Sequence, residues 1–324
     1  MSSSLPLIDM ATYRRGEPEA KSSLIREIAD KSRTLGFFYL VNHGLPDGLL
    51  NAQLAWGRRF FDLPDDQKAA IDFRSLPVRR GYEPKALQTL QAGNQPDQKE
   101  AFSFGRELPA DHWLLRQSAP FEGPNQWPAD GPGFDAAAFR AQMERYRDAM
   151  TDLGRELCGL LAASLDLPED HFAEALAEPN VCVRVLHYPS GSAEAAADRL
   201  GCGAHTDWGL ITILLQDDCG GLEIETADGV WLQASPVPGA LIVNLGDMVV
   251  RLTAGRYASN LHRVLNTAPG RDRYSVATFF NPHAFYTVTC ASTCAPALGA
   301  PDPLTFSDHI NAMIAKTYVT EPAS

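Results

Sequence analysis

Positive charge is scarce in this sequence, which has 28 lysines and arginines against 40 aspartates and glutamates and a formal net charge of -12 at pH 7. Such an acidic chain argues against binding to nucleic acid or to an anionic membrane, because both partners present negative charge themselves. No apolar run approaches the roughly 20 residues that a transmembrane helix needs. The opening residues, MSSSLP, contain neither a basic stretch nor an apolar stretch, so we expect no secretory signal and a cytoplasmic location.

Paired cysteine motifs are also missing, since the six cysteines are scattered and none of them forms a CxxC pair. In a chain of 324 residues, such cysteines are expected to be free thiols in a reducing compartment rather than a disulfide framework. A hydrophobic content of 45% at this length is sufficient for a large core. We therefore expect a globular enzyme that acts on a small molecule, as a monomer or homodimer, without nucleic-acid or membrane partners.

Residues 203–216, GAHTDWGLITILLQ, carry the first indication of chemistry. Their second half is β-branched and apolar, which predicts a buried strand. Side chains at positions i and i+2 of an extended chain leave the same face, so His205 and Asp207 are expected to point together. One imidazole and one carboxylate are two-thirds of the 2-His-1-carboxylate triad that binds non-haem Fe(II). The spacing alone is a weak signal, because a histidine hydrogen-bonded to a nearby aspartate gives the same pattern.

Two downstream segments supply the residue types that the first segment lacks. Residues 256–264, RYASNLHRV, place His262 in a strand-like pattern, and residues 271–280, RDRYSVATFF, form a second such pattern. Within the second pattern, Arg273 and Ser275 are two residues apart and share a face. This pair suits a carboxylate, because arginine donates two parallel charge-assisted hydrogen bonds and serine donates a third.

Together these segments closely resemble the isopenicillin-N-synthase-like branch of the Fe(II)/2-oxoglutarate-dependent dioxygenases. The family's HxD…H motif matches His205, Asp207 and His262, and its RxS motif matches Arg273 and Ser275. Further segments match in order, at residues 36–44 (GFFYLVNHG), 220–224 (GGLEI), 244–247 (NLGD) and 255–264 (GRYASNLHRV). The resemblance covers most of the chain.

The resemblance implies a mixed α/β (α+β) fold, in which a double-stranded β-helix, or jelly roll, is flanked by N-terminal helices and one long helix. Many short apolar segments separated by turn signals, from residue 181 onward, favour the same architecture. Four regions are expected: 1–130, an N-terminal non-haem dioxygenase region of helices and edge strands that covers the active site; 135–178, a long supporting helix; 179–290, the jelly-roll domain; and 291–324, a C-terminal helix. Apolar residues at three- and four-residue spacing mark the long helix over residues 135–165.

By resemblance, the chain is a non-haem Fe(II)/2-oxoglutarate-dependent dioxygenase, an oxidoreductase that hydroxylates a small-molecule substrate with O2 and releases succinate and CO2. Its metal ligands, which are also its catalytic residues, would be His205, Asp207 and His262. The co-substrate 2-oxoglutarate would chelate the iron and extend its far carboxylate to Arg273 and Ser275, with Tyr188 as a third donor. One departure is that Leu186 stands where many plant relatives carry an asparagine, which leaves iron binding untouched.

Three other interpretations of these residues stay open. Arg273 could form a salt bridge with Asp247 or another buried acid instead of binding a co-substrate. The chain could be an oxidase of the same fold that does not use 2-oxoglutarate, as isopenicillin N synthase and the ethylene-forming plant oxidase do not, with Arg273 and Ser275 holding a substrate carboxylate. It could also be a non-catalytic cupin-like protein with a structural Zn(II) at the triad.

The N-terminal region is expected to contribute to the substrate pocket. Its candidates for substrate contact are Arg79, Arg80, Tyr82 and Phe104. Trp208, beside Asp207, could either form a wall of the substrate pocket or pack beneath the metal.

Overall fold

The computed structural model describes residues 4–17, 19–87, 97–190, 200–265, 270–294 and 301–317. Its strands are β1 (Leu7–Asp9), β2 (Phe37–Val41), β3 (Gly81–Glu83), β4 (Glu100–Gly105), β5 (Asn180–Tyr188), β6 (Leu200–His205), β7 (Ile211–Gln216), β8 (Leu222–Glu225), β9 (Trp231–Gln233), β10 (Leu241–Leu245), β11 (His262–Leu265), β12 (Arg273–Asn281), β13 (Thr287–Val288) and β14 (Leu304–Thr305). Its helices are α1 (Ala11–Arg14), α2 (Ala20–Thr34), α3 (Asp47–Phe61), α4 (Asp65–Ala69), α5 (Trp113–Arg116), α6 (Ala136–Ser164), α7 (Asp247–Leu252) and α8 (Phe306–Thr317), with one 3₁₀ helix at Phe73–Ser75.

Two sheets face each other and form the expected jelly roll. The larger sheet has eight strands in the order β1-β2-β10-β7-β12-β5-β4-β3, and the smaller sheet has four in the order β6-β11-β8-β9. One apolar cluster combines side chains of both sheets, such as Tyr39 and Leu186 from the larger sheet with Ile224 and Val264 from the smaller. Apolar side chains from both sheets therefore line part of the space between them.

The larger sheet is buried on both faces. Successive residues of a strand point to opposite faces, so Phe37 and Tyr39 on β2 enter the space between the sheets, whereas Phe38 and Leu40 join the helix-side core. Burial on both faces explains why β2 reads as the unbroken apolar run FFYLV instead of an alternating pattern.

The long helix α6 supports the outer face of the larger sheet. The side chain of Asp135 caps its first turn by accepting a hydrogen bond of 2.9 Å from the Ala138 amide. Apolar residues recur at helical spacing and include Phe139, Tyr146 and other fully buried side chains. A β-carbon on Gly154 would lie 2.6 Å from the ring of Phe280, so the absence of a side chain there permits close contact between helix and sheet.

The predicted long helix agrees with α6 to within a residue at each end. The strand-like pattern at residues 256–264 is longer than the strand in the structure, because β11 begins only at His262. The structure also contains β3 and β4, which extend the larger sheet, and β13, which pairs with β14 in a separate two-stranded sheet. In each case the partner strand is distant in sequence, so local pattern carries little information about the pairing.

No helix among the described residues is long and apolar enough to cross a membrane. The six cysteines, all of which lie in the described part of the chain, are free thiols.

Candidate active site

Three potential metal ligands meet where β6 ends and β11 begins. The antiparallel register sets His262 directly opposite His205, and their ring centroids are 4.3 Å apart. Asp207 follows β6 by two residues, and its Oδ1 lies 4.0 Å from Nε2 of His205 and 3.8 Å from Nε2 of His262. One ligand atom from each residue lies within 4.8 Å of the other two, so the three side chains can share a single ion.

Backbone carbonyls orient both imidazoles. Nδ1 of His205 lies 2.8 Å from the Gly203 carbonyl oxygen, and Nδ1 of His262 lies 3.3 Å from that of Asn260. A proton on each Nδ1 satisfies these contacts and leaves the Nε2 lone pairs directed toward Asp207. Burial lowers the pKa of both histidines, that of His262 to about 4, so both rings are neutral at pH 7 and able to coordinate a metal.

The carboxylate of Asp207 is held by its second oxygen. Oδ2 accepts hydrogen bonds of 2.5 Å from the Thr212 hydroxyl and 2.7 Å from the Asn244 amide. Burial opposes ionisation, but the two histidines and these hydrogen bonds together keep the pKa of Asp207 below its ordinary value. Two neutral imidazoles and one ionised carboxylate fit Fe(II), which accepts this donor set and retains coordination positions for other ligands.

An inner cavity extends from the triad into the space between the sheets. It is lined by Lys99, Tyr188, His205, His262, Arg273 and Ser275, among other residues. Strand register places the polar members: Arg273 of β12 pairs with Tyr188 of β5, and Ser275 pairs with Leu186. Because alternate residues share a face, Arg273 and Ser275 both point into this cavity, as their spacing predicts.

Arg273 is buried, with 3% of its surface exposed, and its hydrogen-bond partners in the described chain are uncharged. Nε donates to the Gly220 carbonyl at 2.7 Å, and the terminal nitrogens donate to the Ser275 hydroxyl at 3.0 Å and to the Gln216 side-chain oxygen at 3.4 Å. The guanidinium carbon lies 4.8 Å from the ring centre of Tyr188. A buried guanidinium without a carboxylate partner favours an anion in the cavity.

The alternative salt bridge between Arg273 and Asp247 is not formed. Asp247 instead accepts hydrogen bonds of 3.2 Å from the Thr206 hydroxyl and 3.1 Å from the Ser259 hydroxyl. Burial raises the pKa of Asp247, which is consistent with these neutral partners.

An outer cavity lies on the other side of His205 and Asp207, which line both cavities. One wall is polar and comes from the strands, where Arg184 on β5 forms a 2.8 Å salt bridge with Glu83 on β3. The opposite wall is apolar and includes Trp208, Phe306 and Ile310, the last two from α8. Concave, mostly apolar sites with a few polar groups are typical of small-molecule binding.

The structure places some of the residues expected to contact substrate at the outer cavity and others away from it. Arg79 and Trp208 line the outer cavity. Arg80 is buried in a 3.2 Å salt bridge with Glu122, the Tyr82 hydroxyl donates to Glu100 at 2.5 Å, and Phe104 belongs to the helix-side core. These last three do not reach the cavity, because strand alternation turns Tyr82 and Phe104 toward the helices.

The cavity residues that are absent from the sequence-based predictions include Lys99, Glu83, Arg184 and Phe306. Arg184 could have been predicted from the sequence, because it lies four residues before Tyr188 on one strand and therefore shares its face. Phe306 could not, since the return of α8 to the cavity depends on tertiary packing.

A jelly roll with two histidines and a carboxylate between two cavities, and a buried arginine–serine pair behind them, is the architecture of the mononuclear non-haem iron oxygenases. Comparison with known sequences agrees. The profile of the non-haem dioxygenase in morphine synthesis N-terminal region matches residues 5–130, and that of the 2OG-Fe(II) oxygenase superfamily matches residues 179–282.

Individual relatives cover nearly the whole chain. The 2-oxoglutarate-Fe(II) type oxidoreductase hxnY of Emericella nidulans is 36% identical over 97% of this chain and 90% of its own length. The 2-oxoglutarate-dependent dioxygenase citB of Monascus ruber is 35% identical over 97% and 95%, respectively. The chain therefore belongs to the 2-oxoglutarate- and Fe(II)-dependent oxygenase family.

Solved structures give the same result. A full-length Neurospora crassa protein in complex with alpha-KG and thymine superposes with a TM-score of 0.83 at 25% identity, covering 96% of both chains. JOX2 in complex with 2OG, Fe and JA superposes with a TM-score of 0.78 at 28% identity, covering 96% of this chain and 85% of that one. The predicted family, fold and activity are confirmed: the protein is an oxygenase that uses Fe(II), 2-oxoglutarate and O2. An oxidase without 2-oxoglutarate and a non-catalytic binding protein are not favoured.

Proposed function

We propose that His205, Asp207 and His262 bind the catalytic Fe(II) and that the enzyme hydroxylates a small molecule held in the outer cavity. The observation that carries this proposal is the convergence of one ring nitrogen from each histidine and one carboxylate oxygen within 4.8 Å of one another. Bound iron supplies the activation of O2, coupled to the conversion of 2-oxoglutarate into succinate and CO2. The chain's own residues orient the two organic reactants and exclude water.

The inner cavity binds the co-substrate in this proposal. Arg273 and Ser275 hold the far carboxylate of 2-oxoglutarate, because they offer several aligned donors at the buried end of the cavity. Tyr188 is the third contact and packs against the guanidinium group. The same cavity is lined by His205, Asp207 and His262, so the keto-acid end of the co-substrate would face the triad.

The outer cavity binds the prime substrate. The salt bridge between Arg184 and Glu83 offers donors and acceptors to a polar edge, while Trp208 and Phe306 contact an apolar body. The related structures hold thymine in the Neurospora crassa protein and JA in JOX2, both of which are small organic molecules. We therefore propose a small substrate with one polar edge.

The experiment that tests this proposal adds 2-oxoglutarate to the Fe(II)-loaded protein without oxygen and then admits oxygen with candidate substrates. We expect a visible charge-transfer band in the first step and substrate-stimulated succinate in the second. A protein that gives no band and no succinate after full loading with iron would contradict the proposal.

The remaining proposals concern the regions of the chain, its location and its oligomeric state. We propose that residues 1–130, 135–178, 179–290 and 291–324 form the cover, the supporting helix, the jelly-roll domain and the C-terminal helix of one cytoplasmic enzyme that is a monomer or homodimer. The 1–130 segment supplies four strands of the larger sheet, so it is expected to fold together with the jelly roll. Light scattering on the purified protein would contradict the proposed state by showing a larger assembly.

A further inference from the structure

A second buried cation lies in the inner cavity with Arg273. Lys99 stands immediately before β4, and 4% of its side chain is exposed. The next residue, Glu100, pairs with His187 on β5, and Tyr188 pairs with Arg273 on β12. Continuing the β4–β5 register by one residue places Lys99 opposite Tyr188. Lys99, Tyr188 and Arg273 thus form one row across three strands, and all three line the cavity.

Neighbours from β6 fix the position of this ammonium group. Lys99 Nζ forms an ion pair with Asp97 and lies 3.5 Å from the sulfur of Cys202. Asp97 in turn accepts a hydrogen bond of 3.0 Å from the Gly203 amide, and Cys202 Sγ lies 3.9 Å from Nδ1 of His205. Lys99 therefore belongs to a row of residues on the larger sheet and also contacts β6, the strand that ends at the proposed metal ligand His205.

Within the part of the chain that the structure describes, these neighbours do not exhaust the donors of Lys99. An ammonium group has three N–H donors, and Asp97 with the weakly accepting Cys202 thiol engages at most two of them. Burial lowers the pKa of Lys99, whereas Cys202 and Asp97 raise it, and the balance lies above the ordinary value. Lys99 is thus charged at pH 7.

Charge at this end of the cavity points to an anionic ligand. Lys99, Arg184 and Arg273 contribute three positive charges, and Asp97 and Glu83 compensate two of them. The partners of Arg273 are uncharged, so one positive charge remains in a region shielded from water. Two buried cations in one cavity repel each other unless an anion lies between them.

We infer that Lys99 is a second cationic contact for the far carboxylate of 2-oxoglutarate, donating to that group from one side while Arg273 and Ser275 donate from the other. The inference rests on the proposed function, which assigns this end of the cavity to that carboxylate. It makes Lys99 a binding residue that selects 2-oxo acids with a second carboxylate over those without one.

A structural role for Lys99 predicts a different result. In that case Lys99 only neutralises Asp97, which accepts a hydrogen bond from the Gly203 amide. Loss of either partner would then have the same effect on 2-oxoglutarate binding. Three variants separate the two roles: Lys99→Met removes the ammonium group, Asp97→Asn retains it, and the double variant removes both charges. The double variant removes both members of the Lys99–Asp97 ion pair and leaves neither charge without its partner, so it decides the question if the single Lys99→Met variant does not fold.

The experiment titrates each Fe(II)-loaded protein with 2-oxoglutarate under anaerobic conditions and follows the charge-transfer band. A parallel titration uses 2-oxovalerate, which lacks the far carboxylate. We expect Lys99→Met and the double variant to raise the Kd for 2-oxoglutarate at least about tenfold, since a charge-assisted hydrogen bond is lost. Their Kd for 2-oxovalerate should stay within about twofold, and Asp97→Asn should bind 2-oxoglutarate within about threefold of wild type.

Arg273→Leu serves as the reference variant. If its affinity for 2-oxoglutarate falls but that of the double variant does not, the inference about Lys99 is overturned and the proposed function stands. Equal loss in Asp97→Asn, or equal loss for 2-oxovalerate, would also overturn it in favour of the structural role. If neither Arg273→Leu nor the Lys99 variants change the affinity, the proposed co-substrate site itself is wrong.

Discussion

The two cavities that meet at the triad are built in different ways. The inner cavity takes its polar side chains from paired strands, with Arg273 and Ser275 on β12 and Tyr188 on β5. The outer cavity adds side chains from loops and from the C-terminal helix, including Arg79 and Phe306. Backbone hydrogen bonds fix the inner set, whereas side-chain packing fixes much of the outer set. The inner cavity therefore suits one co-substrate of defined shape, and the outer cavity can change without disturbing the sheet.

Their charges differ as well. In the inner cavity the guanidinium group of Arg273 has uncharged partners and can bind an anion. Arg184 lines both cavities, and on the outer side it is neutralised by Glu83. This contrast indicates that the inner cavity recognises charge, whereas the outer cavity recognises shape and hydrogen-bonding groups.

The largest expected effect comes from Asp207, a proposed iron ligand that lines both cavities. Asp207→Ala removes the only carboxylate of the triad, so we expect iron content to fall from about one per chain to near zero and succinate formation to fall about a thousandfold. Elemental analysis after desalting measures the first quantity. Asp228→Ala, at an exposed hairpin residue, is the matched control and should retain its iron. Normal iron content in Asp207→Ala would contradict the assignment.

A second prediction concerns the wall behind the inner cavity, where Glu100 points away from the cavity. Burial raises its pKa, but hydrogen bonds from His187 and Tyr82 and the charge of Lys68 reverse this and lower the pKa to about 2. A depressed pKa stabilises the fold above the unfolded-state value near 4.5, and this contribution is lost as the pH falls toward 2. The shift corresponds to about 3 kcal/mol.

Acid unfolding of Glu100→Gln tests this second prediction. The free energy of unfolding should be lower than in wild type at pH 7, and the difference should shrink as the pH falls from 5 toward 2, roughly the range set by the two pKa values. A difference that stays constant over this range would show that Glu100 acts through packing alone. The same variant should keep its affinity for 2-oxoglutarate within about threefold, because its side chain lies on the opposite face.

The third prediction concerns a substitution that affects the inner cavity alone. Arg273→Leu should weaken 2-oxoglutarate binding about a hundredfold, because charge-assisted hydrogen bonds are lost, while iron content stays at the wild-type level. Anaerobic titration of the charge-transfer band gives the affinity. Arg263→Leu is the matched control, since Arg263 on β11 pairs with Glu223 and stacks 3.9 Å from the centre of the Trp231 ring. Unchanged affinity in Arg273→Leu would refute the proposed anchor.

The smallest effect is expected in the outer cavity. Trp208→Ala should lower substrate-stimulated succinate formation about tenfold through lost contact area, while the affinity for 2-oxoglutarate stays within about threefold. Succinate formation with and without substrate gives the stimulated rate, and the anaerobic titration gives the affinity for 2-oxoglutarate. Equal losses of both would show that the two cavities are not independent.

The sequence predicts the inner cavity better than the outer one for a physical reason. His205 and Asp207, like Arg273 and Ser275, are two residues apart in extended chain, so the relation between them is local. The meeting of His205 with His262 depends on pairing of distant strands and could be expected only from the resemblance to a family. Geometry within a strand is therefore readable from spacing, whereas strand partners are not.

The outer cavity depends on contacts that no local pattern encodes. Phe306 reaches it because α8 packs back against the jelly roll, and Glu83 because β3 joins the larger sheet. Tyr82 and Phe104 were expected at the cavity but lie on the helix side, because the faces of β3 and β4 are set by pairing with β5. Lys99 could be placed only once that register was known.

The most direct test of the account is an anaerobic titration with 2-oxoglutarate of wild type and Asp207→Ala, each after the same incubation with Fe(II). We predict a charge-transfer band that saturates at one 2-oxoglutarate per iron in wild type and is absent in the variant. An identical band in both proteins, or none in a wild-type protein that holds one iron per chain, would contradict a metal centre at His205, Asp207 and His262.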